Sequence, residues 1–500
     1  MNRAGHWLLW AAVLWLAACA PPQPQPSAAT AGGDSAESTP ITRTLTILYT
    51  NDEHGWLAGV QPGQGAAELA GLWRAREGCA ADADCLILSG GDLWTGPAVS
   101  TWFQGESMTE ILNALHYDAA AVGNHEFDFG LGVLAARAAQ ADFPLVSANL
   151  RYADSGRSPT ELGIQPFAVI EDAGWRIGVL GLTTQATRTA THPASIQGLE
   201  FLDYAAALRE VAPQARAAGA QLLVAPGHLC RPEVEALVPV AAELGIALLG
   251  GGHCNELAAE VLDGVAVVTG GAHLASYAVV RLRLDAAGRV LDVSAETQAN
   301  AGGAPDPTVA AIAARWQAAT EAELGVTIGY LAEAIPQRSQ AMQDLVTYSW
   351  LWGVESADFA VTNLGGLRAD LPAGPVTLAD ILSVLPFDNV LVALELTGDQ
   401  VIRTFGGRFD AARAAFYFDG HAWINENDGQ PLDRDAVYTL LVNDFMYAGG
   451  DDFGRLATLD PDAYNTAIDW RQPVIDWITA QGSSAENPLD LAALPGGISP

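Results

Sequence analysis

Seven side chains of metal-binding types stand directly after short apolar runs of this chain, most of them beside glycine. Carboxylates, imidazoles and neutral amide oxygens together form a mixed hard and borderline ligand set. Such a set suits Mn, Zn, Co or Fe better than Ca or a site built only of thiolates. The candidate ligands are Asp52, His54, Asp92, Asn124, His228, His253 and Asn255.

Two-metal phosphoester hydrolysis is the chemistry that such a ligand set supports. One carboxylate can bridge two cations, which lowers their mutual repulsion and fixes them about 3.5–4 Å apart. Two such cations lower the pKa of a shared water and neutralise phosphoryl oxygens during in-line attack. A lone histidine after a strand is usually a packed residue, so the recurrence of the pattern is what predicts a site.

The elements that must position these ligands are short β-rich runs, each followed by a loop with glycine and a metal-competent side chain. The runs lie at 44–50, 86–88, 119–122, 222–225 and 246–249. Helical patterns at 203–218 and 232–244 separate the later runs, and 276–284 alternates like an edge or hairpin strand. In layered α/β folds, function gathers at strand ends. The sequence therefore predicts an α/β domain whose loops converge on one crevice.

The length of 500 residues exceeds what one hydrophobic core usually supports, so we expect two domains. A dimetal domain is predicted for 43–300 and a substrate-binding domain for 330–485. An Ala-rich amphipathic stretch at 308–324 predicts a connector helix within 301–329. The Ser-, Pro- and Gly-containing end, 486–500, is predicted to be a loose tail.

The N-terminus has the features of an export signal. Arg3 precedes an apolar run at 7–18 that is too short to span a bilayer comfortably. The run ends in Leu-Ala-Ala before Cys19, which resembles a bacterial lipoprotein signal and implies cleavage before Cys19 and its acylation. An ordinary signal peptide with an incidental cysteine is the alternative. We expect a signal peptide at 1–18, a flexible tether at 19–42, and a protein anchored by lipid in the bacterial cell envelope.

Charge and cysteines limit the partners and the redox state. A formal net charge of −34 excludes nucleic-acid polymers and anionic lipid surfaces as electrostatic partners, and no protein partner is predicted.

Cys79 and Cys85 flank a short polar loop and are expected to pair, since exported compartments permit disulfides. Cys230 and Cys254 each closely follow a candidate histidine ligand. Two roles are open for them, a bridge between the loops or a thiolate contact with a metal.

Ordered blocks along the chain resemble those of the calcineurin-like metallophosphoesterase superfamily. The blocks are Asp52-Glu53-His54-Gly55, Gly90-Gly91-Asp92, Gly123-Asn124-His125-Glu126, Gly227-His228 and Gly252-His253-Cys254-Asn255. Within that superfamily, the stretch 123–128 (GNHEFD) is similar to the 5'-nucleotidase/UDP-sugar hydrolase family. The resemblance implies an α/β fold with an N-terminal four-layer αββα sandwich, a connector helix and a C-terminal α+β nucleotide-binding domain.

The resemblance also implies roles for the candidate ligands, with Asp92 bridging two divalent metal ions. One metal would be held by Asp52, His54 and residue 255, and the other by Asn124, His228 and His253. The family usually has His or Gln at position 255, and Asn is shorter than Gln by one methylene. Direct coordination by Asn255 and a water that completes the site are therefore both open.

His125 is implied to act as a catalytic residue and not as a ligand. With Asp128 it would form a dyad that stabilises the transition state or assists the leaving group. The physical chemistry agrees, because an aspartate bonded to one ring nitrogen orients the imidazole and favours its cationic form. A cationic imidazole facing a phosphoryl group stabilises developing negative charge.

The second domain carries blocks that are similar to the family's nucleotide-binding motifs. Two phenylalanine rings would sandwich the base, the aspartate would bind the ribose hydroxyls, and the arginines would hold the phosphate or a charged group beyond it. A nearby asparagine, at position 389, could bond the base edge. The residues concerned are Arg338, Asn363, Arg368, Phe387, Asn389, Phe445 and Asp451.

These patterns predict an exported, metal-dependent nucleotide phosphohydrolase, a 5'-nucleotidase acting on nucleoside monophosphates. A UDP-sugar hydrolase and a 2',3'-cyclic-nucleotide phosphodiesterase are the alternatives within the same class. A lipid-anchored nucleotide-binding protein without catalysis is the alternative from another class. Because the dyad and Asp451 lie in different predicted domains, we also expect a rotation of the second domain that brings them together.

Overall fold

The structure is a computed structural model that describes residues 42–79 and 85–494. The predicted signal peptide, the lipidation site Cys19 and the tether up to residue 41 lie outside the described residues. Within the described ranges, no helix is long and apolar enough to cross a membrane.

Two large sheets form the N-terminal half of the described chain. Their order is β17–β16–β1–β2–β3–β4–β6 in one sheet and β14–β15–β13–β11–β8–β7 in the other, with the strand bounds that follow. In chain order the strands are β1 (Arg43–Thr50), β2 (Cys85–Ser89), β3 (Ala119–Ala121), β4 (Leu145–Val146), β5 (Leu150–Tyr152), β6 (Ile164–Gln165), β7 (Ala168–Asp172), β8 (Trp175–Val179), β9 (Leu182–Thr183), β10 (Leu199–Phe201), β11 (Leu222–Ala225), β12 (Gly227–His228), β13 (Ile246–Gly250), β14 (Leu257–Leu262), β15 (Val265–Gly270), β16 (Ser276–Leu284) and β17 (Val290–Ala299).

The two sheets pack face to face because their strands are apolar on both faces. In β1, Leu45, Ile47 and Tyr49 point into the core between the sheets, whereas Leu48 points into the outer core on the opposite face. In β11, Val224 joins the inter-sheet core and the neighbouring residues of the strand join another outer core. Side chains of a strand alternate between faces, so such continuous apolar runs are typical of sheets covered on both sides.

Helices cover the outer face of each sheet and complete four layers. Helices α1, α3, α4 and α9 pack on the sheet that contains β1, and α6 to α8 pack on the other. Their bounds are α1 (Ala66–Leu72), α2 (Ala98–Thr101), α3 (Glu106–Ala114), α4 (Gly130–Gln140), α5 (Thr187–Ala190), α6 (Tyr204–Ala217), α7 (Arg231–Ala236), α8 (Val238–Leu244) and α9 (Pro307–Leu324). The predicted α/β class and its layered first half are thereby confirmed.

The single helix predicted at 232–244 is in fact two helices, α7 and α8, which meet at Leu237. Pro239 lies in the first turn of α8. Because proline has no N–H to donate to the preceding turn, it is tolerated at a helix start but interrupts a continuous helix. The predicted strand at 276–284 is β16, which forms a hairpin with β17 and also pairs with β1, so the edge position belongs to β17.

The C-terminal half is built around a five-stranded sheet in the order β22–β19–β26–β21–β27. Its strands are β18 (Thr327–Leu331), β19 (Phe359–Asn363), β20 (Gly374–Thr377), β21 (Val390–Thr397), β22 (Ala411–Ala414), β23 (Phe416–Phe418), β24 (Trp423–Asn425), β25 (Gln430–Pro431), β26 (Val437–Asn443) and β27 (Tyr464–Asp469). Its helices are α10 (Gln340–Gly353), α11 (Leu378–Val384), α12 (Gly398–Phe405), α13 (Asp444–Tyr447), α14 (Leu456–Leu459) and α15 (Gln472–Gln481). Helices α10, α11 and α15 cover one face, and α12 covers the other.

Helix α9 joins the two halves at the place predicted for the connector. It contacts α1 and α3 of the first half and also α11 of the second. At its end, Leu324 packs with Ala98 and Leu382 in a small apolar cluster. The backbone N–H of Ala98 donates to Ser383 Oγ over 2.9 Å, which adds a polar link between the halves.

The predicted loose tail at 486–500 is wrong for its first part. Leu489 and Leu494 are 9% and 3% exposed and belong to the core formed by α10, α11 and α15. The backbone N–H of Leu489 donates to the Tyr330 carbonyl over 2.7 Å. The composition of this segment is loop-like, but two apolar side chains in a polar stretch are enough to anchor it.

Candidate active site

The loops that carry the candidate ligands meet because parallel strands end at the same edge of each sheet. Strands β1, β2 and β3 are parallel neighbours in one sheet, and β11 and β13 are parallel neighbours in the other. Backbone bonds join the first two loops, since the N–H of Asp52 donates to Gly91 and the N–H of His54 donates to Asp92, each over 2.9 Å. The predicted convergence of strand-end loops is therefore present in the structure.

Glycine is required where these loops approach one another. A Cβ atom at Gly123 would collide with the Asp92 carboxylate, and one at Gly250 would collide with the ring of Tyr49. The Tyr49 hydroxyl donates to the Gly251 carbonyl over 2.9 Å, so a core residue of one sheet holds a loop of the other. Close backbone approach of this kind is open to glycine alone.

Asp92 lies at the centre of the site and is shared by two groups of potential ligands. Its Oδ2 atom is 2.8 Å from His228 Nε2 and 3.8 Å from His54 Nε2. Ligand atoms of His54, Asp92 and His125 lie within 4.8 Å of one another, as do those of Asp92, His228 and His253. A carboxylate common to two such groups is placed as a bridging ligand would be.

The other candidate ligands surround these groups. Asp52 Oδ1 lies 3.7 Å from His54 Nε2, and Asn124 Oδ1 lies 3.2 Å from His228 Nε2. Asn255 is exposed but lines the same cavity as His54.

Backbone carbonyls orient two of the imidazoles for metal binding. His54 Nδ1 lies 2.8 Å from the Thr95 carbonyl, and His228 Nδ1 lies 3.0 Å from the Gly90 carbonyl. In each pair the Nδ1–H donates to the oxygen, so that Nε2 is directed at Asp92. This arrangement of a ring N–H on a carbonyl is usual for metal-ligating histidines.

The electrostatic balance of the site favours cations. Burial alone would lower the pKa of His228, but the charges of Asp92 and Asp52 outweigh it and raise the pKa to about 10. For His253, burial and the charge of His228 lower the pKa to about 4, so this ring is neutral and able to ligate. A negative potential that holds a proton on a fully buried imidazole also attracts divalent cations. The donor set therefore fits the predicted metal ions.

Most of the candidate ligands adopt a backbone conformation that is uncommon outside glycine. The residues with φ between 48° and 67° are Asp52, His54, Asp92, His253 and Asn255. Left-handed conformations at non-glycine residues cost about 1–3 kcal/mol each and cluster at functional sites. The surrounding loops hold these five residues in that conformation, which is consistent with a site that needs their side chains in fixed directions.

His125 and Asp128 form the predicted pair beside the ligand groups. His125 Nδ1 lies 2.6 Å from Asp128 Oδ2, and the other ring nitrogen is 4.0 Å from Asp92. Burial alone would lower the pKa of His125, but the charges of Asp128 and Asp92 outweigh it and raise the pKa. The ring can therefore be cationic, and its Nε2 also lies close enough to join a metal group.

Two buried glutamates near the site were missed by the sequence analysis. Glu126 accepts the backbone N–H groups of Asp92, Leu93 and Gly123 over 2.9, 2.7 and 2.6 Å, so it joins two ligand loops. Glu53 accepts the hydroxyls of Thr50 and Ser89 and joins the ends of β1 and β2. Both stand inside quoted motifs, yet their partners are backbone amides and hydroxyls of other loops.

His273 was also missed. Its ring centroid lies 5.8 Å from that of His54, and its backbone N–H donates to the Asp52 carbonyl over 2.8 Å. In the sequence it follows Gly270-Gly271 at the end of the apolar run 265–268, so the strand-end pattern that found the other histidines could have found this one as well.

A cavity of about 390 Å³ extends from the ligand groups to the second half of the chain. Phe387, from the second half, lines this cavity, and its ring is stacked on the ring of His125 at a centroid distance of 5.7 Å. Predicted residues from both halves line this cavity: His54, Asp92, Asn124, His125, Asp128, His253, Asn255, Asn363, Arg368, Phe387, Asn389, Phe445 and Asp451.

Polar contacts fix several of these lining residues. Asn363 Nδ2 donates to Asp451 Oδ2 over 2.7 Å, and Arg368 Nη2 lies 3.4 Å from His54 Nε2. Arg338 is exposed and lines an adjoining cavity of about 110 Å³ together with Arg368. The guanidinium of Arg368 thus stands between the two cavities.

All four cysteines within the described residues are paired. Disulfides join Cys79 to Cys85 and Cys230 to Cys254. Of the two roles left open for Cys230 and Cys254, the structure has the bridge, so neither sulfur is a thiolate directed at a metal.

Comparisons with known proteins point to one family. A family model described as "5'-nucleotidase, C-terminal domain" matches residues 327–418. Protein UshA of Yersinia enterocolitica is 27% identical over 85% of this chain and 89% of its own. A 5'-nucleotidase of Vibrio cholerae is 25% identical over 90% of this chain and 92% of its own. The crystal structure of a 5'-nucleotidase precursor from Thermus thermophilus has a TM-score of 0.74 at 24% identity, covering 90% of this chain and 98% of that one, and shows the same fold.

Replacing Asp92 tests its central position. We expect Asp92→Ala to lose both metal ions, because each group would lack the oxygen that the two groups share. The measurement is metal content per chain by mass spectrometry after loading with Mn²⁺ or Co²⁺ and dialysis. Asp118→Ala is the matched control. Asp118 precedes β3, whereas the ligand Asn124 follows that strand, and its carboxylate accepts the Ile87 N–H. A folded Asp92→Ala variant with a full metal complement would refute the shared position.

Proposed function

We propose that this chain is an exported phosphoric monoester hydrolase that releases phosphate from nucleoside 5'-monophosphates. It belongs to the 5'-nucleotidase family of the calcineurin-like metallophosphoesterase superfamily. One observation carries the proposal. The two ligand groups that share Asp92 open into the same cavity as Phe387, Phe445 and Asp451. That cavity offers a metal site at one end and surfaces for a base and a ribose at the other.

The predicted ligands would hold two divalent metal ions, Mn, Zn, Co or Fe. Asp52, His54 and residue 255 would bind one ion, and Asn124, His228 and His253 the other, with Asp92 between them. When bound, such a pair supplies Lewis-acid activation of water and neutralises phosphoryl charge. The orientation of His54 and His228 by backbone carbonyls supports these assignments.

His125 and Asp128 would act on the phosphoryl group. Asp128 fixes the ring through Nδ1, so that Nε2 carries a proton toward the cavity. The cationic ring would stabilise negative charge as it develops and help the leaving oxygen to depart. Arg368, at the border of the cavity beside His54, would hold a phosphoryl oxygen with its planar guanidinium.

The second half would select the nucleoside. Phe387 and Phe445 offer two aromatic faces for a base, and stacking contributes about 1–3 kcal/mol per base. The Asp451 carboxylate would accept the ribose hydroxyls, and its contact with Asn363 holds it in place. Asn389 lies on the same cavity wall and could bond the base edge.

The same roles define the domain bounds. Residues 43–300 would carry the metal site, 301–329 the connector helix, and 330–485 the nucleoside-binding residues. Residues of the first and the third segment line one cavity. A nucleotide enclosed there would need the two halves to separate for entry and release. The rotation expected from the family resemblance would serve that purpose.

A UDP-sugar hydrolase is the second candidate, and one observation favours it. The adjoining cavity of about 110 Å³ is lined by Gln337, Arg338 and Arg368 on the far side of His54 from the stacking rings. It shares His54, Asn255 and Arg368 with the main cavity and would provide cationic and polar groups for a second charged moiety of the substrate.

Export and lipid anchoring rest on the sequence of the first nineteen residues. A cleaved chain with acylated Cys19 would partition with membranes, whereas Cys19→Ser would be released as a freely diffusing protein. The acidic surface, with a net charge of −34, would not itself bind an anionic bilayer.

A substrate panel tests the proposed activity. Inorganic phosphate is measured for the nucleotides, and UMP with glucose 1-phosphate is measured for UDP-glucose, because cleavage of its pyrophosphate bond releases no inorganic phosphate. The substrates are AMP, UMP, ADP, UDP-glucose and cyclic AMP, each assayed before and after EDTA and after re-addition of Mn²⁺, Co²⁺ or Zn²⁺. We expect rapid release from monophosphates, loss of activity with EDTA and recovery with metal. Faster turnover of UDP-glucose than of AMP would favour the second candidate. Slow turnover at a rate that EDTA does not change would point to a nucleotide-binding protein without catalysis.

Substitution of the dyad separates catalysis from metal binding. We expect His125→Ala to lower turnover about 10²–10⁴-fold, the usual scale for a general acid, while both metals stay bound. Asp128→Asn should lower turnover in the same direction because it removes the charge that favours the cationic ring. Steady-state kinetics and metal content check both variants. Loss of a metal from His125→Ala would mean that His125 is a ligand.

Substitution of a stacking ring tests base recognition. Phe445→Ala should raise KM for AMP about 5–150-fold, the equivalent of 1–3 kcal/mol of stacking. The KM for p-nitrophenyl phosphate should hardly change, because that substrate has no base. Phe418→Ala, which alters a ring that is 53% exposed, is the control. Equal effects of Phe445→Ala on both substrates would make Phe445 a packing residue.

A further inference from the structure

The Cys230–Cys254 disulfide joins two loops that each carry a candidate metal ligand. We infer that this disulfide is a positioning element of the metal site, which holds His228 and His253 at the spacing that one metal ion requires. The inference rests on the proposed function, because it assumes that these two histidines bind a metal.

The covalent bond lies very close to both histidines along the chain. Cys230 follows His228 by two residues, and Cys254 is the neighbour of His253. The bond links positions 24 residues apart, with their Cα atoms 5.2 Å from each other. The two imidazole rings lie edge to face at a centroid distance of 5.1 Å.

The two loops differ in how firmly the rest of the fold holds them. The loop of His228 passes directly into α7, where the N–H of Cys230 donates to Glu233 over 3.1 Å. The loop of His253 is irregular and leads from β13 to the edge strand β14. The disulfide therefore adds a covalent attachment between this irregular loop, which hydrogen bonds to Tyr49 and Asp52 also hold, and a loop that leads into a helix.

The backbone near His253 needs such support. Both His253 and Asn255 have positive φ, 67° and 55°, and such conformations persist only where neighbouring structure enforces them. The N–H of Gly252 donates to the Leu229 carbonyl over 2.8 Å, so the loops already touch beside the disulfide. A covalent bond at this point limits the conformations open to the His253 loop when no metal is present. The ligands are thereby preorganised, and a bound ion is released more slowly.

The test uses two matched pairs of substitutions in the full mature chain. Cys230→Ser with Cys254→Ser removes the inferred positioning bond. Cys79→Ser with Cys85→Ser removes the other disulfide, which is at the start of β2, whereas the ligand Asp92 follows the end of that strand. Each protein is loaded with Co²⁺, and the release of cobalt to excess EDTA is followed by visible absorption. Thermal unfolding of the metal-free proteins is measured in parallel.

We expect the first variant to release one of two cobalt equivalents about 10–100-fold faster than the wild type, the scale of losing an outer support of a metal ligand. The second equivalent should be affected much less, because Asp52 and His54 follow β1 and only Asn255 of its proposed ligands lies on the freed loop. The control variant should release both as the wild type does. A general loss of stability would instead accelerate both equivalents by the same factor.

Unchanged release from the first variant, with the wild type holding two cobalt ions, would overturn the inference and leave the proposed function intact. A wild type that binds no cobalt would overturn the proposed function itself.

If the first variant does not fold, the control variant offers a second route. A water-soluble phosphine added to folded Cys79→Ser/Cys85→Ser protein can reach the remaining disulfide, because Cys254 is exposed. The phosphine and one water yield the phosphine oxide and two thiols, so the bond is cut without unfolding. Selective release of one cobalt equivalent after this treatment supports the inference, and wild-type release refutes it.

Discussion

The buried carboxylate of Asp92 is the constraint on which the rest of the site depends. It is 2% exposed and stands among further acidic groups, so it needs positive partners to be stable away from water. Burial alone would raise its pKa, but the imidazoles of His228 and His125 outweigh burial and hold the pKa well below its usual range. The carboxylate also leaves no room for a Cβ atom at Gly123, and Glu126 accepts the backbone N–H groups of Asp92 and Gly123 around it.

The general plan of the site could be predicted from sequence because it is a consequence of topology. Parallel strands bring their carboxyl ends to one edge, so a ligand placed after each strand lies near the others without any knowledge of side-chain packing. The motifs that end β1, β2 and β3 were found in this way. The division of the 232–244 helix could not be predicted from Pro239 alone, because α6 continues through Pro213 although proline lacks the N–H that a continuous helix uses.

Other features could not be predicted because they depend on contacts between distant residues. Glu126 owes its role to amides on a loop more than thirty residues earlier in the chain, and a glutamate beside a metal motif carries no local sign of such partners. Leu489 and Leu494 lie in a segment of loop-like composition, and only the core that they join makes them structural. In both cases the residue type was visible but its burial was not.

The placement of Phe387 joins the chemistry of the first half to the selectivity of the second. A two-metal site by itself would act on many phosphoesters, because it contacts only the phosphoryl group and the attacking water. Phe387 stacks on His125, so the ring proposed to bind a base touches the ring proposed to act on the phosphate. In the proposed function, any movement that separates the two halves therefore disturbs recognition and catalysis together. A phosphoester without a base would make no stacking contact with Phe387 and Phe445. A base without a phosphate would make no contact with the metal site around Asp92. Selectivity then follows from the shared wall, without a separate recognition step.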